Sequence, residues 1–270
     1  MSLIEVRDLR RRYRRPRTSL FGGRDSVEAL RGVSFDVRTG ERFGIVGESG
    51  SGKSTLVRLL AALDTPTSGE IRFDGKRVDG VRERGLRFLR KEMQIVFQDP
   101  MGSLDPRMRV REIICEPLGR APERHDRVIE LLEAVGLPAD AGGRYPHQFS
   151  GGQRQRISIA RALAPRPKVL LADEAVSALD VLVRKQILDL LADLVDRFDL
   201  TLVFVSHDLA VIRHVCDSVA VMRAGEIVEQ GPVDRVYDEP EHDYTRELIA
   251  AAPNLRTALA RFGAAATEED

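Results

Sequence analysis

The run Gly47-Glu48-Ser49-Gly50-Ser51-Gly52-Lys53-Ser54-Thr55 limits what this chain can fold into more than any other stretch. It fits G-x-x-x-x-G-K-[ST], a loop whose backbone N–H groups wrap phosphate oxygens. The apolar segment Phe43-Gly44-Ile45-Val46 before it reads as a buried strand, and residues 55–63 after it read as a helix. Strand, glycine loop and helix together are the context such a loop requires. The glycines let the backbone turn inward, and the helix N-terminus adds a dipole that favours anions. Lys53 is placed to reach β- and γ-phosphates, and the Ser54 hydroxyl to ligate Mg²⁺. The plainer alternative is a glycine-rich turn with no ligand; the Lys53-Ser54 pair argues against it.

Strand and helix signals alternate along most of the chain, which predicts a mainly parallel sheet flanked by helices, an α/β fold. Ile4-Glu5-Val6 and Val33-Ser34-Phe35-Asp36-Val37 alternate with period two, as half-buried antiparallel strands do. Residues 14–26 between them are rich in Arg and Gly and read as an exposed loop. Arg10, Arg11, Arg12, Arg14, Arg15 and Arg17 crowd this end and read as a solvated run rather than a contact for phosphate or anionic lipid. Residues 69–75 form another short strand ending in a turn, and Gln94-Ile95-Val96-Phe97 a strand that stops at Asp99-Pro100.

The pattern then turns helical over residues 110–116, 125–135 and 151–164, with Pro106, Pro117, Pro122, Pro138 and Pro146 as punctuation. This predicts a helical lobe inserted into the α/β core. The core resumes at Val169-Leu170-Leu171-Ala172. A long amphipathic helix follows, with Ile187, Leu191, Leu194, Val195 and Phe198 on one face, and then the strand Leu202-Val203-Phe204-Val205. Beyond Val233 the chain reads as a short appended segment with a frayed tail from about residue 263.

Composition narrows the function classes. Lys plus Arg is 42 and Asp plus Glu is 42, so the formal net charge is zero, unlike a generic nucleic-acid binder. The 43% hydrophobic content suffices for one large core or two lobes. Cys115 and Cys216 have no C-x-x-C neighbour and are expected to be buried, reduced thiols of a cytosolic protein. No signal peptide is recognised and no apolar run approaches the ~18 residues of a membrane span. Any membrane role is therefore expected to be that of a peripheral subunit.

Four features sharpen the phosphate-loop reading. The apolar strand over residues 169–172 ends in Asp173-Glu174, where one carboxylate can hold Mg²⁺ through water and the next can polarise an attacking water. Gln98 stands at another strand end, where it can sense the γ-phosphate or the metal. His207 follows the strand at 202–205, placed to donate to a γ-phosphate. Phe149-Ser150-Gly151-Gly152-Gln153 opens a helix, a second anion-favouring helix N-terminus. Singly, each has a plainer role: a surface Gln, a structural His, a cap, a solvated acidic pair. Their occurrence together, each at the end of an expected element, is what carries weight.

With these motifs in order, the chain resembles the nucleotide-binding subunit of an ABC transporter. The loop at 47–55 matches that family's Walker A, Gln98 its Q-loop glutamine, and Ser150-Gly151-Gly152-Gln153 its signature motif. The strand ending at Asp173 is similar to Walker B, with Glu174 at the catalytic glutamate. Ser177-Ala178-Leu179-Asp180 resembles the D-loop, His207 the switch histidine, and Tyr13 the aromatic that stacks on adenine. Phe149 replaces the commoner Leu before the signature serine, and Ala175 stands where a Pro often follows the glutamate; neither removes a catalytic group. Val96-Phe97-Gln98-Asp99-Pro100, Ser103-Leu104-Asp105-Pro106-Arg107 and Tyr145-Pro146-His147-Gln148 resemble ATPases of the dipeptide/oligopeptide/nickel importers, as do Glu239-Pro240, His242, Tyr244-Thr245 and Leu248.

The resemblance implies a P-loop NTPase core with an antiparallel β subdomain and an inserted α-helical subdomain. It implies an ABC domain over residues 1–253, its helical subdomain at about 99–165, and a tail at 254–270. ATP would lie on residues 47–55, with Mg²⁺ on Ser54, Gln98 and, through water, Asp173. Glu174 would orient or deprotonate the attacking water, with His207, Gln98 and Lys53 completing the catalytic set. Ser150, Gly151, Gly152, Gln153 and Asp180 would serve the site across a head-to-tail dimer. The partner cassette is expected to be a paralogue rather than a second copy. Two transmembrane permease subunits, and indirectly an extracytoplasmic solute-binding protein, would complete a peptide or nickel-complex importer on the cytoplasmic face of the inner membrane. Some relatives bind an iron–sulfur cluster through C-terminal cysteines; none follows Cys216 here, so no such cluster is expected. The alternatives are an exporter ATPase or a soluble ABC-type ATPase acting on ribosomes or DNA. DNA-repair relatives carry a long coiled-coil insertion and ribosome-acting ones usually two cassettes; this sequence has neither feature.

Overall fold

Strands β1 (Ser2–Arg14) and β2 (Ser26–Arg38) run antiparallel, with Val6 opposite Phe35 and Leu9 opposite Val33. In this computed structural model, residues 2–14, 26–119 and 124–251 are described. Both strands extend well beyond their period-two cores. Arg10, Arg11 and Arg12 are strand residues rather than loop ones, with Arg10 and Arg12 solvent-exposed as expected: Arg10 pairs with Asp8, Arg11 with Asp64 and Arg12 with Glu28. Arg15, Arg17 and most of the expected loop lie outside the described residues, as do the tail and residues 254–270.

The chain next makes β3 (Arg42–Val46), the glycine loop and α1 (Lys53–Leu60). The helix stops short of the expected residue 63 because Ala62 takes a left-handed φ of 50°, and the Leu63 N–H turns back to the Arg58 carbonyl. Strands β4 (Ser68–Phe73) and β5 (Lys76–Arg77) follow, joined by the turn at Asp74-Gly75. Together they form a four-stranded antiparallel sheet in the order β2-β1-β4-β5.

Helix α2 (Arg87–Glu92) leads into β6 (Met93–Val96), and then the chain enters the helical lobe. Its helices are α3 (Pro100–Ser103), α4 (Val110–Cys115), α5 (Arg124–Ala134) and α6 (Gly151–Leu163). Helix α6 packs on the other three. The core resumes with β7 (Val169–Asp173), α7 (Val181–Arg197), β8 (Thr201–Ser206), α8 (Leu209–Val215), β9 (Ser218–Arg223) and β10 (Glu226–Pro232). Helices α9 (Val233–Asp238) and α10 (Asp243–Ala251) end the described chain.

The second sheet has the order β10-β9-β3-β8-β7-β6; only the β10–β9 pair is antiparallel. Its inner strands are covered on both faces, so they read as continuous apolar runs rather than alternating ones. The pleat divides their side chains between two cores. Leu202 and Phe204 of β8 face the core shared with the helical lobe, α7 and α8, while Val203 and Val205 face the core under α1 and the antiparallel sheet. Phe204 is fully buried. Phe204→Ala is expected to cost about 3–5 kcal/mol, read as a lowered denaturation midpoint in urea.

The segment after Val233 is not a loose appendix. Val233, Val236, Tyr244 and Leu248 join the same core as α7 and α8. Both cysteines are buried free thiols, and burial pushes the Cys216 thiol far up, which keeps it unreactive near neutral pH. No helix among the described residues is long and apolar enough to cross a membrane.

Candidate nucleotide site

Strand register gathers the motif residues at one edge. Val46 lies opposite Ser206, Asp173 opposite Val205, and Val96 opposite Ala172. All these strands are parallel, so their carboxyl ends coincide. The glycine loop leaves β3 there, Gln98 follows β6, Asp173-Glu174 ends β7, and His207 follows β8. Ligands of open parallel sheets bind at this edge.

Gly52 is the N-cap of α1 and offers no side chain to the first turn. The early helix amides are thereby left for an anion, in the field of the helix dipole. Gly47 is required by a close approach: a Cβ there would lie 2.2 Å from the Met222 carbonyl oxygen of β9. Glu48, Ser49, Gly50 and Ser54 are exposed, while Ser51 is buried with an unpartnered hydroxyl.

Lys53 is 4% exposed, and its ammonium folds back over the loop. It donates to the carbonyl oxygens of Gly47 (2.6 Å) and Glu48 (2.9 Å). Burial lowers its pKa, against the opposing charges of Glu174, Asp173 and Glu48. Burial also raises the Asp173 carboxyl, and the adjacent Glu174 raises it further, with Lys53 and Arg58 pulling the other way. Two adjacent half-buried carboxylates beside one cation make a place that gains from added positive charge. An open cradle of glycines, an exposed Ser54 hydroxyl and these carboxylates fit a triphosphate with its divalent ion.

Glu174 holds a left-handed φ of 47°, a strained value for a non-glycine residue. Its N–H donates to the Val205 carbonyl, and its own carbonyl accepts from the Ser177 N–H and hydroxyl. One oxygen of its carboxylate sits 3.4 Å from His207 Nδ1. The pairing of Glu174 with His207 has no signature in the sequence, because their strands are neighbours only in the sheet.

The signature turn is built as a capping box. The Ser150 hydroxyl accepts from the Gln153 N–H, and the Gln153 side-chain oxygen Oε1 accepts from the Ser150 N–H. A Cβ on Gly152 would lie 2.5 Å from Val183 of α7. Asp180 caps α7 by accepting from the Val183 N–H at 3.0 Å. The signature turn and the Asp180 turn are therefore packed together. Ser150, Gly151 and Asp180 remain exposed.

Tyr13 pairs with Val27 on β2, two residues before Ala29, whose carbonyl oxygen would lie 2.6 Å from a Cβ on Gly52. The Tyr13 hydroxyl donates to Asp64 at 2.6 Å, and the Arg11 guanidinium covers one ring face at 4.5 Å. The site residue that motif reading did not connect to the loop is Tyr244, whose hydroxyl accepts a 2.9 Å hydrogen bond from the Glu48 N–H.

Comparison with known proteins shows the family of the chain. A family model described as ABC transporter matches residues 30–177. The di/tripeptide transport ATP-binding protein DppF of Pseudomonas aeruginosa is 46% identical, over 94% of this chain and 80% of that protein. The oligopeptide transport ATP-binding protein AppF of Bacillus subtilis is also 46% identical, over 94% and 79%. The glutathione import ATP-binding protein GsiA of Escherichia coli K12 is 52% identical over 84% of this chain but only 37% of its own length. Among solved structures, the ATP-binding cassette MJ0796, a dimer in a post-hydrolysis state with ADP and Pi, superposes with a TM-score of 0.74 at 31% identity. That match covers 85% of this chain and 98% of the other. The cbiO1 protein of Clostridium perfringens, part of the transporter complex cbiONQ, gives 0.77 at 29%, over 96% and 99%. The chain belongs to the ABC transporter family, as one of its ATP-hydrolysing cassettes.

Proposed function

We propose that this cassette drives an importer of peptides or a closely related small solute. The observation that carries the ATPase half of the reading is the meeting of the glycine loop, Gln98, Asp173-Glu174 and His207 at one strand-end edge. The import half is supported by relatives named for di/tripeptide, oligopeptide and glutathione transport, two of them aligned over 94% of this chain.

The amides of residues 47–55 and Lys53 hold the phosphates of ATP. Ser54, Gln98 and Asp173 are the oxygen donors that would hold Mg²⁺, which would supply positive charge to offset that of the phosphates. Glu174 accepts a proton from, or orients, the water that attacks the γ-phosphorus. His207, beside Glu174, donates to the γ-phosphate oxygens. Most of the acceleration is positioning and electrostatics, as in other phosphoryl transfers.

Ser150, Gly151 and Gln153 lie exposed at the start of α6, with Gly152 half-buried between them, and are completed by a facing cassette. A head-to-tail partner, a paralogue in preference to a second copy, brings its own signature turn over this Lys53. Asp180, packed beside the signature turn through Val183, fixes the two halves together. Tyr13 supplies an aromatic ring for the adenine. The γ-phosphate then bridges two positive helix ends, and its release lets them part.

The output side lies beside Gln98. Phe97 (39% exposed) and Leu63 (54%) are apolar and open, and with Ile95 and Pro117 they edge a groove between the α/β core and the helical lobe. Exposed apolar patches of this kind mark interaction surfaces. Here the partner is a permease segment at the cytoplasmic face of the membrane, so the cassette is a peripheral subunit. Purifying the intact complex tests the reading: two polytopic membrane proteins and a second cassette should copurify, with ATP hydrolysis stimulated by a peptide-loaded binding protein. Copurification with ribosomes instead would overturn it.

A further inference from the structure

The Gly47–Glu48 peptide is gripped from both sides. Its carbonyl oxygen accepts from Lys53 Nζ at 2.6 Å, and its N–H donates to the Tyr244 hydroxyl at 2.9 Å. A trans peptide is planar, so its N–H and C=O point in opposite directions and turn together. Fixing the N–H on one side therefore fixes where the carbonyl presents itself to Lys53 on the other.

Tyr244 is well anchored for this task. It is 2% exposed, and the Arg223 guanidinium lies 4.7 Å from its ring centroid. Its own N–H donates to His242 Nδ1 at 3.1 Å. The N–H groups of Glu241 and His242 both donate to the Glu229 carboxylate, at 2.9 and 3.1 Å, which ties the start of α10 to β10. Burial pushes the Glu229 carboxyl up, but the Glu241 N–H and the other donors outweigh it and hold it below its ordinary range. The Glu229 carboxylate therefore remains a charged acceptor at neutral pH. On the loop's other flank, the Met222 carbonyl leaves no room for a side chain at Gly47. The first turn of the loop is thus clamped between β9 and α10.

We propose that Tyr244 is a positioning residue for nucleotide binding: it holds the Gly47–Glu48 peptide so that Gly47 steers Lys53, and thereby makes the C-terminal helix pair a determinant of ATP affinity. The proposal rests on the reading that residues 47–55 hold ATP. It assigns a task to α10 that its sequence, 196 residues from Glu48, does not announce.

Tyr244→Phe keeps the ring, its burial and the Arg223 contact, and deletes only the acceptor. In the full chain, Kd for ATP is expected to rise about 3- to 10-fold, the scale of one net hydrogen bond. In the assembled complex, KM for ATP should rise by the same factor, with kcat within about twofold. Amide exchange at Glu48 should accelerate while exchange in β3 and α1 stays as it was. Glu48→Pro removes the matching donor without touching α10, and adding Tyr244→Phe to it should weaken ATP binding no further. Unchanged ATP affinity and unchanged Glu48 exchange in Tyr244→Phe would overturn the proposal. So would an equal further loss in the Glu48→Pro background, because the tyrosine would then act through general stability. A parent chain that binds no ATP would instead sink the nucleotide-site reading, and the exchange measurement would still decide this one.

Discussion

Glu174→Gln is expected to bind ATP with the affinity of the natural chain and to hydrolyse it at least 100-fold more slowly. The carboxylate is half-buried, sits 3.4 Å from His207 Nδ1 and follows Asp173 at the end of β7. Glutamine keeps the shape and one acceptor oxygen, so the loop, Lys53 and the backbone bonds of residue 174 to Val205 and Ser177 survive. What it loses is the negative charge that, in the proposed mechanism, draws a proton from the attacking water. A positioned base contributes roughly 10²- to 10⁴-fold. The same change removes the charge that helps raise the Asp173 carboxyl, which should fall back towards its ordinary range. The measurement is single-turnover phosphate release in an assembled complex whose other site is also disabled. Natural turnover there would reject Glu174 as the base.

Lys53→Ala should abolish measurable ATP binding, with a loss of about 100-fold or more. The lysine is 4% exposed, and burial disfavours its charged form in the free protein. A polyanionic ligand reverses that penalty, so the gain on binding exceeds that of an already solvated lysine. A charge-assisted hydrogen bond is about twice as strong as a neutral one. The substitution also strips the Gly47 and Glu48 carbonyl oxygens of their donor, which costs roughly 1–3 kcal/mol of stability if they stay buried. Calorimetry with ATP, beside a thermal melt of the same variant, separates the two losses. Retained affinity in a folded variant would count against the phosphate-loop reading. This result and that of Tyr244→Phe are linked, since both act on the Gly47–Glu48 peptide from opposite sides.

Much of the site was legible because its signals are local. A glycine loop between an apolar strand and a helix, an acidic pair ending an apolar run, and Ser150 three residues before Gln153 are each written within a few positions. The structure places them at strand and helix ends as read. The misreadings came where a local signal was overruled from a distance. Arg10, Arg11 and Arg12 looked like part of a loop by charge density, yet pairing with β2 makes them strand residues, and Asp64 draws Arg11 out of solvent while Arg10 and Arg12 stay exposed. The segment after Val233 looked appended, since its helices are short, but four of its side chains complete a core built from α7 and α8.

The sequence by itself determined the elements and the chemistry each could carry. Hydrophobic period and backbone-specific residues such as Gly and Pro act within one strand or turn, and they suffice to specify a phosphate loop, its acidic strand end and an inserted helical lobe. Only the tertiary structure decided that β3, β6, β7 and β8 end at one edge, that Glu174 meets His207, and that Tyr244 reaches the loop. Those facts depend on parallel register and on hydrogen bonds between segments up to 196 residues apart. Such contacts form when buried polar groups must find partners in the folded core, a demand that no short window of sequence records.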